Sequence, residues 1–393
     1  MAFASGPVSF QRFFITGKFH DDVTEALLRA VKQRSFGRIS PAPDDTQTGW
    51  IGPRHVLDTE IDAETIAFGR FAHLAMRVDR LRAPASVVRA YTLLEQQAVR
   101  QATGRDFLSK GEQRKAREAA QTRLEQEVRA GSFRRMAMLP VLIDLAQRVV
   151  FLGNLSAALA DKFMLLFSDT FGAALEPADA PRVATRIMTA HRNARALEHL
   201  PAFHLIRPPD AQADSGSFQT ELTFLGRELL TWLWFRADAE DQPLRVKDGD
   251  ELTVAIERSL RLTCDFGLTG SVAIAAETPA SLPEARAALR SGKQPLKAGL
   301  ALGSPAGDFR LTLDGARLAV SGLQIPEGQR SEDWRARLEA RFEAVTEVAA
   351  LLDALFEQFL LARTASGWAA ELRQIIAWAS GKSGERRPQA ASA

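Results

Sequence analysis

Residues 108–144 read LSKGEQRKAREAAQTRLEQEVRAGSFRRMAMLPVLID and join a long basic helix to an apolar strand. Ser109, with Glu112 three residues later, is the signature of a helix N-terminus that is closed by a capping box. Gly131 is suited to end this helix, because glycine adopts the left-handed backbone without steric cost. The run MAMLPVLID that follows predicts a strand.

The predicted helix concentrates positive charge. From Lys110 to Arg135 there are eight Lys/Arg and four Glu, a local charge of +4, whereas the whole chain carries only +2. Lys110, Arg114 and Arg117 fall within roughly 60° on a helical wheel. Such a stripe suits the closely spaced phosphates of a nucleic acid. The alternative is a solvated helix with Glu–Arg pairs four residues apart, which charge alone slightly favours.

Phe133 follows the helix and directly precedes Arg134 and Arg135. A phenylalanine after a helix-terminating glycine is usually a core residue. Between a glycine and two arginines it could instead point toward DNA or contact a partner subunit. From the residues alone both interpretations stay open.

Hydrophobic periodicity elsewhere predicts an α+β fold of mixed helices and antiparallel sheets. An Asp314-Gly315 pair between two alternating runs predicts a β-hairpin. We divide the chain into an N-terminal α+β part (1–83), a long basic helix with strands and a further helix (84–176), an irregular connector (177–220), a β-rich part with the hairpin (221–330), a C-terminal helical part (331–380) and a disordered tail (381–393).

Composition is typical of a globular protein, with 46% hydrophobic and 25% charged residues. The single cysteine, Cys264, excludes an internal disulfide and a cysteine-based zinc site, and its strand pattern predicts a buried side chain. No stretch of 18 apolar residues occurs and the N-terminus does not resemble a signal peptide. We therefore expect a cytoplasmic protein that has no membrane partner.

Catalytic signatures are missing from the sequence. Gly292-Lys293 lacks the upstream glycine of a phosphate-binding loop, and neither HExxH nor GxSxG occurs. His191, His199 and His204 fit surface histidines better than a metal site. We expect no cofactor, no metal and no enzymatic activity.

One enzymatic alternative remains, a metal-dependent exonuclease. Two-metal nucleases need several carboxylates around the cations, and Asp144, Asp161 and Asp169 are the candidates. Their spacing fits strand-end and helix-surface positions equally well. A third possibility is a protein-interaction scaffold without affinity for DNA.

Several short motifs occur in an order that is typical of one family. The chain reads FQRFFITGKF at 10–19, TGWIGP at 48–53 and PASVV at 84–88, before the basic helix. Phe133 and Ile143-Asp144 keep the family's spacing, and SGK at 291–293 precedes a strand and a hairpin. Together these motifs, which span most of residues 8–364, resemble the RdgC family of recombination-associated DNA-binding proteins.

The resemblance implies an elongated, curved subunit whose homodimer closes into a ring around double-stranded DNA. It also implies binding without base specificity, association with the nucleoid, and a limit on access of the RecA recombinase to DNA. Phe133 matches an aromatic position associated with contacts that close the ring, and Lys110 matches a basic position. The predicted DNA-binding residues are Lys110, Arg114, Lys115, Arg117, Phe133, Arg134, Arg135 and Lys293.

One departure from the family concerns its second basic region. Shorter members carry Lys-Lys-Gln about sixteen residues before the Gly-Lys, where this chain has Ala276-Glu277-Thr278. The second set of basic contacts is therefore missing, or is supplied by Lys293, Lys297 or Arg286. The chain also has additional sequence near 180–260.

Overall fold

The computed structural model describes residues 3–38, 46–81, 83–205, 222–239, 243–245, 251–264, 269–326 and 333–381. These residues form ten α-helices and thirteen strands, which confirms the mixed α+β class. The strands are β1 Val8–Thr16, β2 Thr46–Ile51, β3 Ala67–Phe68, β4 Phe71–Leu81, β5 Arg134–Asp144, β6 Val149–Leu152, β7 Ala174–Pro177, β8 Leu244–Arg245, β9 Glu251–Cys264, β10 Val272–Ala276, β11 Lys293–Ser304, β12 Gly307–Asp314 and β13 Ala319–Gln324.

The helices range in length from the four residues of α2 to the 31 residues of α9. They are α1 Glu25–Gln33, α2 Ala63–Ile66, α3 Ala85–Thr103, α4 Lys110–Arg129, α5 Ala157–Phe171, α6 Ala180–Ala190, α7 Leu225–Ala239, α8 Pro283–Arg290, α9 Trp334–Thr364 and α10 Trp368–Ala379. Within the described residues, no helix combines the length and the apolar character that crossing a bilayer requires.

All thirteen strands belong to one antiparallel sheet, ordered β10-β9-β11-β12-β13-β1-β6-β5-β4-β2, with β3, β7 and β8 paired to β4, β1 and β9. Strand β1 lies between the two halves. Val8 and Phe10 pair with β13, whereas residues 11–14 pair with β6. Strands from the predicted 1–83, 84–176 and 221–330 parts are thus neighbours in one sheet.

Helices cover both faces of the β6-β5-β4-β2 half. On one face Trp50 of β2 meets Phe163 of α5, with ring centroids 6.0 Å apart. On the other face Phe71 of β4 meets Phe342 of α9 at 5.8 Å. Burial on both faces explains why β4 is a nearly continuous apolar run, from Phe71 to Val78, and not an alternating one.

The predicted irregular connector at 177–220 is wrong over its first part. Residues 180–190 form α6, and Asp179 caps it by accepting a hydrogen bond from the Arg182 N–H at 3.1 Å. Val183 and Met188 are buried on one face of α6. Pro181 lies in the first turn of α6, where proline favours helix formation instead of interrupting it. Residues 206–220 of the connector lie outside the described residues, as do 382–393 of the predicted tail.

Two β-hairpins share one kind of turn. Asp144, at the end of β5, accepts a hydrogen bond from the Gln147 N–H at 2.9 Å. Asp314, at the end of β12, accepts one from the Arg317 N–H at 3.2 Å. The hairpin predicted at Asp314 is therefore confirmed, as is the burial of Cys264.

A buried ion pair connects α7 to α9. Glu228 accepts hydrogen bonds from the Arg363 Nε at 2.9 Å and from the Phe203 N–H at 2.7 Å. Burial raises the pKa of Glu228 to about 7, although the nearby guanidinium of Arg363 opposes this shift. The folded protein therefore holds the Glu228 proton more tightly than the unfolded chain does.

We expect Glu228→Gln to flatten the pH dependence of stability. As the pH rises from about 5 to 7, the unfolded chain loses the Glu228 proton first, so the wild-type free energy of unfolding should fall across this window. Thermal unfolding followed by circular dichroism between pH 5 and 8 measures the effect. Glu371→Gln is the matched control, since Glu371 only accepts from the Trp232 indole at 2.7 Å. A wild-type slope in Glu228→Gln would contradict the assignment.

Candidate nucleic-acid interface

Strands β4 and β5 form a ladder of eleven residue pairs, from Phe71 opposite Asp144 to Leu81 opposite Arg134. In sequence, helices α3 and α4 follow β4 and precede β5. They therefore connect the two strands at the end of the ladder where Leu81 lies opposite Arg134, which we call its outer end. The two helices pack against each other, and neither packs to a comparable extent on any other element of the described chain. They form a projection, the helical arm (residues 83–133), in which α4 alone is about 30 Å long.

Local signals in the sequence fix the ends of both helices. The Ser109 hydroxyl accepts from the Glu112 N–H at 3.2 Å, and the Glu112 carboxylate accepts from the Ser109 N–H at 2.8 Å, which confirms the predicted capping box. Helix α3 ends at Gly104, whose φ of +65° is left-handed. Ala116, Ala120 and Leu124 are buried on α4, so small side chains allow the helices to lie close together.

The cations of α4 differ in whether they have a partner. The Arg114 Nε lies 2.8 Å from Glu118, and Arg123 lies 3.8 Å from both Glu95 and Glu127. These arginines fit the alternative of a solvated helix with Glu–Arg pairs. Three other exposed cations form no ion pair within the described part of the chain: Lys110, Lys115 and Arg117.

Near the outer ends of β4 and β5, at the base of the arm, the carboxylate of Asp79 interacts with two arginines. Asp79 is buried and accepts from the Arg77 Nε and Nη2, each at 2.8 Å, while the Arg134 Nε lies 3.8 Å away. The Arg77 guanidinium also lies 4.1 Å from the centre of the Phe36 ring. This arrangement anchors the outer part of β4 and leaves Arg134 partly exposed.

Sequence reasoning missed Arg80, which lies directly opposite Arg135 in the ladder. Both side chains are exposed, and neither forms an ion pair with a described residue. Like charges directly opposite each other in an antiparallel ladder are destabilising, and a bound anion would relieve the repulsion. Only the strand register reveals this pair, because 55 positions separate the two arginines in sequence.

The predicted basic residues therefore form two groups. Lys110, Arg114 and Arg117 lie in the first half of α4, and Arg134 and Arg135 follow its C-terminal end. The axial rise of a helix puts the first group about 20–30 Å from the second.

Lys293 belongs to neither group. It is buried in β11, and its Nζ donates to the Ser291 hydroxyl at 3.2 Å, which argues against the predicted phosphate contact. Lys297 and Arg286, the two other residues that could replace the family's second basic region, both form ion pairs within the subunit. Lys297 pairs with Asp314 at 3.0 Å and Arg286 with Asp238 at 2.7 Å.

Phe133 joins α4 to β5 in a left-handed conformation, with φ of +62°. Its side chain is half-buried, so the structure supports neither the fully buried nor the fully exposed interpretation. A non-glycine residue in this conformation costs about 1–2 kcal/mol, and such strain is often found at functional positions.

Exposed apolar side chains also collect on the arm. Phe107, in the turn between α3 and α4, is 89% exposed. Of the eight large hydrophobic side chains that are exposed in the described chain, four lie on the arm: Val88, Leu93, Leu94 and Phe107. Exposed apolar groups on one projection are typical of a surface that meets a partner.

The carboxylates considered for an exonuclease do not converge. Asp144 is fully buried and pairs with Arg70 at 3.1 Å, whereas Asp161 and Asp169 are exposed on α5. His191 bonds to Glu357. Among the described residues, no three histidine, cysteine, aspartate or glutamate side chains are placed to hold a metal ion.

Comparison with known proteins gave no match, either to a protein-family model or to a curated protein. The resemblance to the RdgC family therefore stays a prediction from short ordered motifs.

We expect Asp79→Ala to lower the free energy of unfolding by about 3 kcal/mol, because it leaves the buried Arg77 without a carboxylate. Chemical denaturation measures this change. Glu118→Ala is the control, since it breaks an ion pair of similar length whose members are both exposed, and it should leave the midpoint almost unchanged. Equal effects of the two substitutions would show that the base of the arm does not depend on Asp79.

Proposed function

We propose that the protein binds double-stranded DNA through the helical arm and the adjoining ends of β4 and β5. The distribution of charge carries this proposal. Residues 77–135 contain 14 Lys/Arg and 7 Asp/Glu, a net +7, while the whole chain is +2, so the remainder is −5. A positive segment, made of the arm and the adjoining strand ends, in a chain whose remainder is net acidic attracts a polyanion and orients it toward that segment.

The contacts would be with phosphates and not with bases. Duplex DNA carries one charge per about 1.7 Å along its axis, so phosphates are available both to the basic group on α4 and to the basic group at the ends of β4 and β5. Lys110, Lys115 and Arg117 offer unpaired charges, and Arg80 with Arg135 offers two guanidinium groups side by side. Contacts of this kind position a protein on DNA without reading its sequence.

We further propose a homodimer that encircles DNA and acts without enzymatic activity in recombination, where it limits access of RecA. The resemblance to the RdgC family supports the homodimer, the ring and the role in recombination. The arm, with its exposed apolar side chains and the strained Phe133, is the best candidate for the contact that closes the ring. The alternative contact, α9, is less suitable because Phe342, Phe356 and Phe359 are buried within the subunit.

Reversing charge on the arm should weaken DNA binding for every duplex sequence. In Arg114→Glu/Arg117→Glu, the slope of log K against log salt should become less steep by about two, as expected for two lost phosphate contacts. Arg114 counts among them because its pair with Glu118 is exposed, and such a pair is weak enough for a phosphate to replace the carboxylate. Arg29→Glu/Lys32→Glu is the matched control, because these exposed residues of α1 are also three positions apart. Fluorescence anisotropy over a range of salt concentrations measures both slopes.

The double variant Arg29→Glu/Lys32→Glu distinguishes the loss of direct phosphate contacts from the effect of a lower net charge. Equal losses in the two double variants would attribute binding to the overall charge of the protein. An unaltered slope in Arg114→Glu/Arg117→Glu would exclude α4 as the contact surface.

Sedimentation velocity should show a dimer at micromolar concentration, and Phe133→Asn should weaken its association about tenfold. Asparagine tolerates the left-handed backbone, so this substitution removes the aromatic ring without added strain. Leu165→Asn is the control, since Leu165 is an exposed apolar residue of α5, away from the arm. A monomer at all concentrations would reject the ring, and equal effects of the two variants would reject the role of Phe133.

A further inference from the structure

A cavity of about 680 Å³ lies beside the inner half of β4, away from the helical arm. It is bounded by the loop before α2, by α2 itself and by the first two turns of α9. Its wall includes Pro53, Ala63, Phe68, His73, Trp334 and Leu338. The cavity is large enough for a small organic molecule.

Two neighbouring aromatic rings form part of the wall. Phe68 and Trp334 meet edge to face, with ring centroids 6.0 Å apart and planes at 78°. Phe68 is buried, whereas Trp334, in the first turn of α9, is 56% exposed. An indole left uncovered beside a cavity offers a face on which a flat ring can stack.

His73 is a buried polar residue of the cavity wall. It is 3% exposed, its Nδ1 is buried without a partner, and neither ring nitrogen bonds to a described residue. Its neighbours are the rings of Phe3, Phe68 and Phe342. Burial lowers the pKa of His73 to about 4, so the imidazole is neutral near pH 7 and presents one donor and one acceptor. Because Nδ1 has no exposed surface, a ligand in the cavity would bond to Nε2 and would remove the cost of leaving that nitrogen unpaired.

The charged groups around the cavity disfavour an anion. Arg335 donates to the carbonyl oxygens of Glu64 and Ala67, and Arg54 is bound to Asp58 and Glu60. Both guanidinium groups are thus already engaged. The Glu64 carboxylate, at the rim, forms no ion pair with a described residue and would repel a negative ligand.

We propose that this cavity binds a small planar heteroaromatic molecule, uncharged or cationic, that stacks on Trp334 and bonds to His73. The site would be independent of DNA binding by the arm. The ligand is either a free small molecule or an aromatic side chain of a peptide, and both have this chemistry.

Isothermal titration calorimetry on the full chain with four related probes tests the proposal. Indole should bind about fivefold more tightly than indene, which has no N–H group, as expected for one hydrogen bond. Tryptamine, a cation, should bind at least as well as indole, and the anion indole-3-acetate about tenfold more weakly. N-acetyltryptophanamide distinguishes the sources: affinity at least equal to that of indole supports a peptide side chain, and exclusion supports a free molecule.

Substitutions in the wall locate the binding. His73→Phe keeps an aromatic ring without nitrogens and should abolish the preference for indole over indene. Ala63→Trp should fill the cavity and abolish binding of all probes, with Leu338→Phe as a second blocking variant if the first does not fold. Thermal unfolding curves verify that each variant is folded.

Three results would overturn the proposal. Binding that survives both blocking substitutions would place the ligand elsewhere. A preference for indole that persists in His73→Phe would exclude the proposed hydrogen bond. Failure of all probes to saturate the wild-type protein below about 10 mM would mean that the cavity is not a binding site.

Discussion

The helical arm depends on the antiparallel ladder between β4 and β5. At its inner end both faces of the ladder are covered, by α5 on one side and α9 on the other, so that residues from Phe71 to Asp79 are buried. At its outer end β5 emerges into solvent, from Ala137 back to Arg134. The pair of strands thus belongs to the core over most of its length, and its outer end, at Arg80, Arg134 and Arg135, supports a basic surface. The burial of the inner half stabilises a projection that has little core of its own.

Local chemistry in the sequence was sufficient to predict the ends of the elements. The capping box at Ser109 and the hairpin at Asp314 each depend on a few neighbouring residues, and the structure contains both. Helix α6 was missed because its proline and alanine content was interpreted as irregular. There the apolar positions at Val183 and Met188, which the composition obscured, were the better signal.

The candidate site was only partly predictable, since a charge count does not say which charges are free. The sequence predicts a basic stripe on α4, but not that Arg114 is bound to Glu118 while Arg117 is unpaired. The burial of Lys293 in β11 could not be predicted, because it depends on contacts distant in the chain. Arg80 could not be associated with Arg135 before the strand register was known. The cavity at His73 was not predicted either, since its wall comes from three separate segments.

Within the described residues, the arm has no extensive contact with the body apart from its connection to β4 and β5, so its length can change without altering the body. Inserting seven residues into α3 and seven into α4 would preserve the seam between them and extend the tip by about 10 Å. The sheet and the helices that cover its two faces would be unaffected, because none of them packs extensively on the arm. Among related proteins, the length of the arm could therefore differ by units of two helical turns while the fold of the body stays the same.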